Sequence, residues 1–514
     1  MSNFGQILKE VGEFGWFQKQ LLVALCIPCM FSAFDVIGQV FIGMSFPHHC
    51  NTDWILERGP NLTGEEQRNL TLPVNKDGKY ESCKMFRPVD LDLETTEAYG
   101  LNDTIGCIAG WDYEVPRGGS SILTEFNLVC DGSGLIEASQ SIFMTGCLIG
   151  ALSYGAISDR FGRRFAILLS LSLVTLFGVA TAFSPNVYVY MVLKFFSGTS
   201  SIVIVMNASV MAVEWTDSSK AAFCTGAIVL FFSVGLMVLS GVAYLIPNWR
   251  ILQLVLFCPL LLVLGLNYWF LPESARWLVT HDRKEEAKKE LQKAARVNRR
   301  MVTDDQMDKL HMESRPERRN MLDIFQIPYL RKRTFIMAYD WFAVSLLYYG
   351  LSLNVGSFGL NIYLTQFIFG LVEVPANLCG LALTQLFGRK ICEAGFLFFG
   401  GAACLAVLAV PNDLPEVKTT IAVLGKFAST AAFSTAYVYA AELYPTVLRH
   451  SGMGINSMCA RVGGILAPLI RLLEVYHYTI PMLIYGIIPI AAGGFTLLLP
   501  ETLNADLQDT TEVK

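Results

Sequence analysis

Twelve apolar stretches of roughly 20 residues, each long enough to cross a bilayer as a helix, constrain this chain more than any other feature. They lie near 21–44, 137–157, 165–184, 188–210, 222–245, 251–271, 335–355, 361–385, 392–411, 416–440, 452–475 and 480–499. In hydrocarbon, backbone polar groups must be satisfied within the segment, so runs of this length predict spanning helices. The chain is 53% hydrophobic, 16% charged and has a mean hydropathy of +0.45. A soluble protein carries roughly 25% charged residues. The expectation is an all-α polytopic membrane protein whose main partner is the lipid bilayer. A net charge of −5 argues against nucleic-acid binding, and oligomeric state is not legible.

Lysine and arginine in the connections set the expected orientation. The segment 272–335 holds 16 of the 39 basic residues. Arg160, Arg163 and Arg164 follow the second span, and Arg389 and Lys390 follow the eighth. Both termini are therefore expected in the cytoplasm. The reading divides the chain into an amphipathic N-terminus (1–20), a six-helix half (21–271), a helical linker (272–334), a second half (335–499) and a tail (500–514). In 1–20, Phe4, Ile7, Leu8, Val11 and Phe14 form a helical stripe expected to lie on the inner membrane surface. In the linker, Ala287, Leu291 and Ala294 form a second stripe.

Residues 45–136 form the one large outer connection, with glycosylation sequons at Asn61, Asn69 and Asn102. It holds Cys50, Cys83, Cys107 and Cys130, an even number that suggests two disulfides with three possible pairings. His48-His49-Cys50 lacks a companion cluster, so no metal is expected there, and no cofactor is expected anywhere.

Motifs recur at a near-constant shift. Phe161-Gly162-Arg163-Arg164 is echoed by Phe387-Gly388-Arg389-Lys390, Glu214 by Glu442, and Pro272-Glu273-Ser274 by Pro500-Glu501-Thr502. Two related six-helix halves follow, with a binding site expected between them near the midplane. The basic residues of the turns can pair with Glu214, Glu273, Glu442 and Glu501, either as a latch on the cytoplasmic side or only as interfacial anchors.

A charge deep in a span is costly unless it meets a partner or a water-filled cavity. Asp35, Lys194, Glu373, Arg461 and Arg471 are such charges. Lys194 is expected to snorkel outward. Arg471 lies about 15 Å along the helix from Arg461 and is expected to pair with Glu474. Glu373 precedes Pro375, where a broken helix is expected. Arg461 is the candidate anion reader, because a guanidinium at low dielectric grips a carboxylate with two hydrogen bonds. The alternative is a buried Asp35–Arg461 ion pair. Trp341, Ser345 and Tyr348 share one helical face, with Tyr349 beside it. Phe433 and Tyr437 are four apart, and Phe231 and Phe232 are adjacent. Aromatic faces suit flat organic ions, although helix packing uses the same residues.

Gly155-Ala-Ile-Ser-Asp159-Arg160-Phe-Gly162-Arg163-Arg164 resembles the signature loop of the major facilitator superfamily. Thr124–Cys130, Pro272–Leu278 and Ala441–Arg449 resemble the organic ion transporters of solute carrier family 22. The resemblance covers essentially the whole chain and implies the major facilitator fold, with twelve helices in two halves. It implies a plasma-membrane facilitator or exchanger, with a small organic anion and an exchanged counter-anion as partners, and not an enzyme. It makes Trp341, Tyr348, Tyr349, Phe232 and Tyr437 cavity residues, and it reads arginine at 461 as a mark of anion or zwitterion carriers. Organic anion transporters usually carry a cation in the eighth span where this chain has Asn377, which with Asp35 points to a cavity less positive than theirs. The stretch 355–376 most resembles the urate and nicotinate exchanger branch, so monocarboxylates of that kind are the expected cargo. A carnitine-like zwitterion, an organic cation, or a non-transporting receptor that keeps the fold are the alternatives.

Overall fold

The structure is a computed structural model that describes residues 3–308, 322–445 and 448–505. Parts of the expected linker (309–321) and tail (506–514), and two residues of the Ala441–Arg449 motif, lie outside the described residues. Chain contacts divide the molecule into a unit of residues 41–136 with 246–249 and a second unit holding the remainder.

The larger unit contains the membrane helices, labelled here α1 (Trp16–Ile37), α2 (Gly134–Phe161), α3 (Arg163–Thr181), α4 (Val187–Glu214), α5 (Ser218–Leu245) and α6 (Trp249–Phe270) in the first half. The second half holds α7 (Pro328–Leu353), α8 (Ile362–Phe387), α9 (Arg389–Ala409), α10 (Pro415–Leu443), α11 (Arg449–Arg471) and α12 (Ile480–Thr496). Ten of these are long and apolar enough to span a bilayer on those criteria alone. The other two are α11, which carries Arg449, Arg461 and Arg471, and α12, which is a 17-residue helix. Pro28 in α1 and Pro375 in α8 sit inside continuous helices. The expected break at Pro375 is therefore absent: the helix passes through.

The two ends of this unit are called here the terminal face, where α1 begins, and the opposite face. At the terminal face, Gly162 and Gly388 start α3 and α9 at φ of +105° and +95°. A side chain is strained there, and a Cβ would also collide with a glutamate carboxylate, Glu273 at Gly162 and Glu501 at Gly388. Close helix approach elsewhere uses Gly146, Gly150 and Gly198, where α2 and α4 meet backbone to backbone.

The N-terminal stripe does not lie on a bare surface. Phe4, Ile7, Leu8 and Val11 are buried, and their helix Asn3–Gly12 packs on the linker helix Lys284–Val297, whose Ala287, Leu291 and Ala294 are also buried. Asn298 ties the two together. Its side chain accepts from the Phe17 amide (2.8 Å) and donates to the Val11 carbonyl (3.0 Å) and the Gln18 side chain (2.9 Å).

The smaller unit is built on two antiparallel ladders. Strand β1 (His48–Cys50) pairs with β4 (Trp111–Tyr113), and β2 (Lys84–Phe86) pairs with β3 (Thr104–Gly106). Cys50 bonds Cys107 and Cys83 bonds Cys130, choosing one of the three possible pairings. His48 lies near Cys83 and Cys130, but a disulfide leaves those sulfurs no thiolate to offer a metal. Cys50, Leu72 and Met85 form the small core. Asn61, Asn69 and Asn102 are exposed, and Asn69 accepts from the Tyr80 hydroxyl.

Candidate functional site

Three cations sit well inside membrane helices: Lys194 on α4, Lys426 on α10 and Arg461 on α11. Their surroundings differ in one respect, the presence of a counter-ion.

Lys194 does not snorkel. It is buried, and its Nζ lies 2.7 Å from Asp35 Oδ1 and 4.7 Å from the centre of the Phe143 ring. Ser197 donates to the other Asp35 oxygen at 2.5 Å. Asp35 is therefore spoken for within the first half, and the Asp35–Arg461 pair considered from sequence does not form. The partner could not be read from sequence because it depends on which faces of α1 and α4 meet.

Lys426 was absent from the sequence reading. Its Nζ is 3.0 Å from Glu373 Oε1 and 2.6 Å from Ser352 Oγ, and it lies over the Tyr348 ring at 3.3 Å. The Tyr348 hydroxyl donates to Glu373 at 2.5 Å, and Ser233 of α5 donates to its other oxygen at 2.8 Å. Glu373 and Lys426 are 3% and 1% exposed, so this is an enclosed ion pair with its hydrogen bonds filled, reaching across both halves. One signal could have found Lys426. It follows Lys194 by 232 residues, one helical turn beyond the repeat shift.

Arg461 has no such partner. It is half-buried, its Nε is buried without a hydrogen-bond partner, and its Nη2 touches Met206 Sδ of α4 at 3.3 Å. No ion pair to it is found among the described residues. Three residues further along α11, Gly464 packs on the Tyr349 ring. Tyr437 is 51% exposed, with its ring 4.5 Å from that of buried Trp341. Tyr349 meets Tyr348 edge to face at 5.2 Å, and Tyr348 meets Phe433 at 5.5 Å. Ring contacts and a hydrogen bond thus link Tyr349, Tyr348, Phe433 and Glu373 into one cluster, and Trp341 and Tyr437 form a separate pair. Phe232 is half-buried next to Ser233, and Asn377 accepts from Ser434. Neither makes a described polar contact with Arg461.

The basic turns form matching networks inside each half. Arg163 pairs with Asp159 (2.7 Å) and Glu214 (3.2 Å), and Arg389 pairs with Glu442 (3.0 Å). Glu273 accepts from the backbone amides of Arg163 and Arg164, and Glu501 from those of Arg389 and Lys390. Burial pushes the Glu273 carboxyl up, and the three backbone donors, Ser274 included, pull it back. Arg164 donates to the Tyr268 carbonyl, while Arg160 lies over the Phe161 ring. Arg449 keeps buried Nε and Nη2 atoms with no hydrogen-bond partner among the described residues.

Towards the opposite face, polar contacts join the halves. Arg471 lies 3.8 Å from Glu137 of α2 and 4.0 Å from Glu474. Ser141 donates to the Ile465 carbonyl at 2.9 Å, and Tyr244 meets Tyr363 at 5.6 Å. The expected Arg471–Glu474 pair is present but is the longer of the two. The Glu137 pair was not foreseen.

The sugar (and other) transporter family pattern matches residues 105–513. The chain is 46% identical to solute carrier family 22 member 13 of Homo sapiens, over 100% of this chain and 93% of that one. It is 36% identical to organic anion transporter 3 of Homo sapiens, over 99% and 93%. The inward open conformation of the xylose transporter XylE from E. coli superposes with a TM-score of 0.61 at 15% identity, over 95% of this chain and 98% of that one.

Proposed function

Because the chain belongs to the sugar (and other) transporter family and, within it, to solute carrier family 22, we propose that it carries small organic anions across the plasma membrane by alternating access. It is a membrane transporter of organic ions with the major facilitator fold, not an enzyme.

The sign of the cargo rests on one observation. Lys194 and Lys426 each face a carboxylate, whereas Arg461 meets the Met206 sulfur and no described counter-ion. Taken as charges, the two pairs cancel and one positive charge remains. Asp35 and Glu373 are engaged by lysines, so neither of these two acids is left free for a cationic head group. A half-buried guanidinium on the helix that packs against Tyr349 suits a flat monocarboxylate or a urate-like ring: charge-assisted hydrogen bonds for the anion, ring faces for the plane. Nicotinate- and urate-like anions, exchanged for an intracellular carboxylate, are the cargo in this reading. The 36% identity to a protein called organic anion transporter 3 supports the anionic class.

With the basic terminal face towards the cytoplasm, the contacts among Glu137, Arg471, Tyr244 and Tyr363 shut the outer side. That arrangement fits the inward-facing stage of the cycle, with Asn61, Asn69 and Asn102 available for glycosylation outside.

Competition for uptake among nicotinate, urate, carnitine and a quaternary ammonium tests the reading. Saturable uptake of either anion, blocked by the other and indifferent to the quaternary ammonium, is expected. Uptake of the cation with no anion uptake would overturn it.

A further inference from the structure

A second pair of carboxyl groups lies inside the second half, away from Arg461. Asp340 is on α7 and Glu393 on α9, and both are completely buried. The two carboxyl groups face one another, close enough to share a proton. Both Glu393 oxygens and Asp340 Oδ2 otherwise lack a hydrogen-bond partner among the described residues. The remaining oxygen, Asp340 Oδ1, is 3.2 Å from Thr496 Oγ1 at the end of α12. That hydroxyl has one proton, and it also lies 2.8 Å from the Ala492 carbonyl, an acceptor that cannot donate. Thr496 donates to both as a bifurcated bond, which leaves Asp340 Oδ2 and the two Glu393 oxygens to share a proton.

The cations nearby are committed elsewhere. Arg389, one turn before Glu393, binds Glu442 and the Thr384 carbonyl. Arg333 of α7 donates to the Leu443 carbonyl and lies over Tyr329. The other titratable neighbours are Cys392 on α9, Tyr439 on α10, which donates to the Pro500 carbonyl, and Glu501 beyond α12. Tyr339 of α7 turns its hydroxyl to the Ile488 carbonyl. Two carboxylates in contact in a buried site cannot both ionise without a cation.

We propose that Asp340 and Glu393 form a proton-binding site, holding one exchangeable proton between them, through which the second half responds to pH at the terminal face. Glu393 is one turn from the start of α9 and Thr496 is the last residue of α12, so the exchange path is only about 6 Å along the helix. On release, the proton passes to water at that face and the pair gains one negative charge. Repulsion and desolvation then act between α7, α9 and α12. This inference does not depend on the anion reading.

The sign follows from linkage. The folded pair keeps a proton that the unfolded chain releases at about pH 4. The folded-to-unfolded ratio therefore falls about tenfold per pH unit above that point, until the folded pair itself releases the proton. Thermal unfolding of the purified full chain is measured between about pH 5 and 9 for wild type, Asp340→Asn and Glu393→Gln. Infrared difference spectra of the wild type over the same range are recorded in parallel. The expected results are a flatter pH dependence in both variants, and a carboxylic-acid band in the wild type that is lost on raising the pH and is shifted or absent in each variant. If one variant does not fold, the other and the wild-type spectra decide. A wild-type slope in the folded variants, or a wild-type spectrum with no titrating carboxylic acid, would falsify the site.

Discussion

At the scale of single residues, the arrangement separates cations that serve the fold from one that is available. Removing Lys426 leaves Glu373 as a buried charge without its ion partner. Lys426→Ala should therefore cost about 3–5 kcal/mol and reduce surface protein. A Glu373→Gln, Lys426→Met double variant should recover most of the expression, as read by cell-surface labelling. Arg461 is half-buried and unpaired, so Arg461→Asp should leave surface expression near normal and abolish anion uptake. Uptake that survives Arg461→Asp unchanged would remove Arg461 from the binding site. Part of this was legible in the sequence. Arg461 stood out because an arginine in an apolar helix is conspicuous. Lys426, Asp340 and Glu393 did not stand out. Asp340 lies beside Trp341 and Glu393 lies one turn inside a basic turn, so each looked like part of a neighbouring feature. The choice of Lys194 rather than Arg461 for Asp35 depends on helix rotation, which a pattern of apolar residues fixes only to within a face.

At the scale of elements, the internal repeat proved the most informative sequence signal. Its three motif pairs correspond to one structural device, built twice. A glycine in left-handed backbone opens a helix, and a glutamate caps the first amides after it. The carboxylate occupies the space that a Cβ would take. Gly162→Ala should cost about 1–3 kcal/mol through the backbone conformation alone, and more through the collision with Glu273. The measurable outcome is a lower unfolding temperature than that of Gly155→Ala on α2, where a Cβ meets open space. Equal effects at both sites would show that the capped turn is not strained by a side chain. What the repeat could not give was the range of these networks. The arginine–glutamate pairs close within a half, because the turn and its acceptors belong to the same bundle.

At the scale of the whole membrane unit, contacts between the halves favour the arrangement in which they form. Glu137 and Arg471 are partly exposed, so their attraction is worth no more than about 1 kcal/mol. That is still roughly a fivefold bias between two states of similar energy. Glu137→Arg should repel Arg471 and slow the return to the state seen here, and adding Arg471→Glu should restore the rate. Counterflow exchange measured for the single and double variants checks this, and a double variant no faster than the single one would separate the pair from the switch. The number of helices and their division into halves were readable because bilayer thickness imposes a length on every span. The disulfide pairing and the contacts between the halves were not, since both depend on distant segments meeting.

The clamp made by Asn298 has a consequence for how the chain is assembled. Val11 and Asn298 are 287 residues apart. A ribosome adding about 5–20 residues per second needs on the order of tens of seconds to supply the second once the first has emerged. Throughout that interval Phe4, Ile7, Leu8 and Val11 are made but their partner helix is not. The nearest apolar phase available to them is the bilayer surface, where the sequence alone had placed them. The N-terminal stripe thus waits for the linker helix, and the burial of its four side chains against that helix comes late in synthesis.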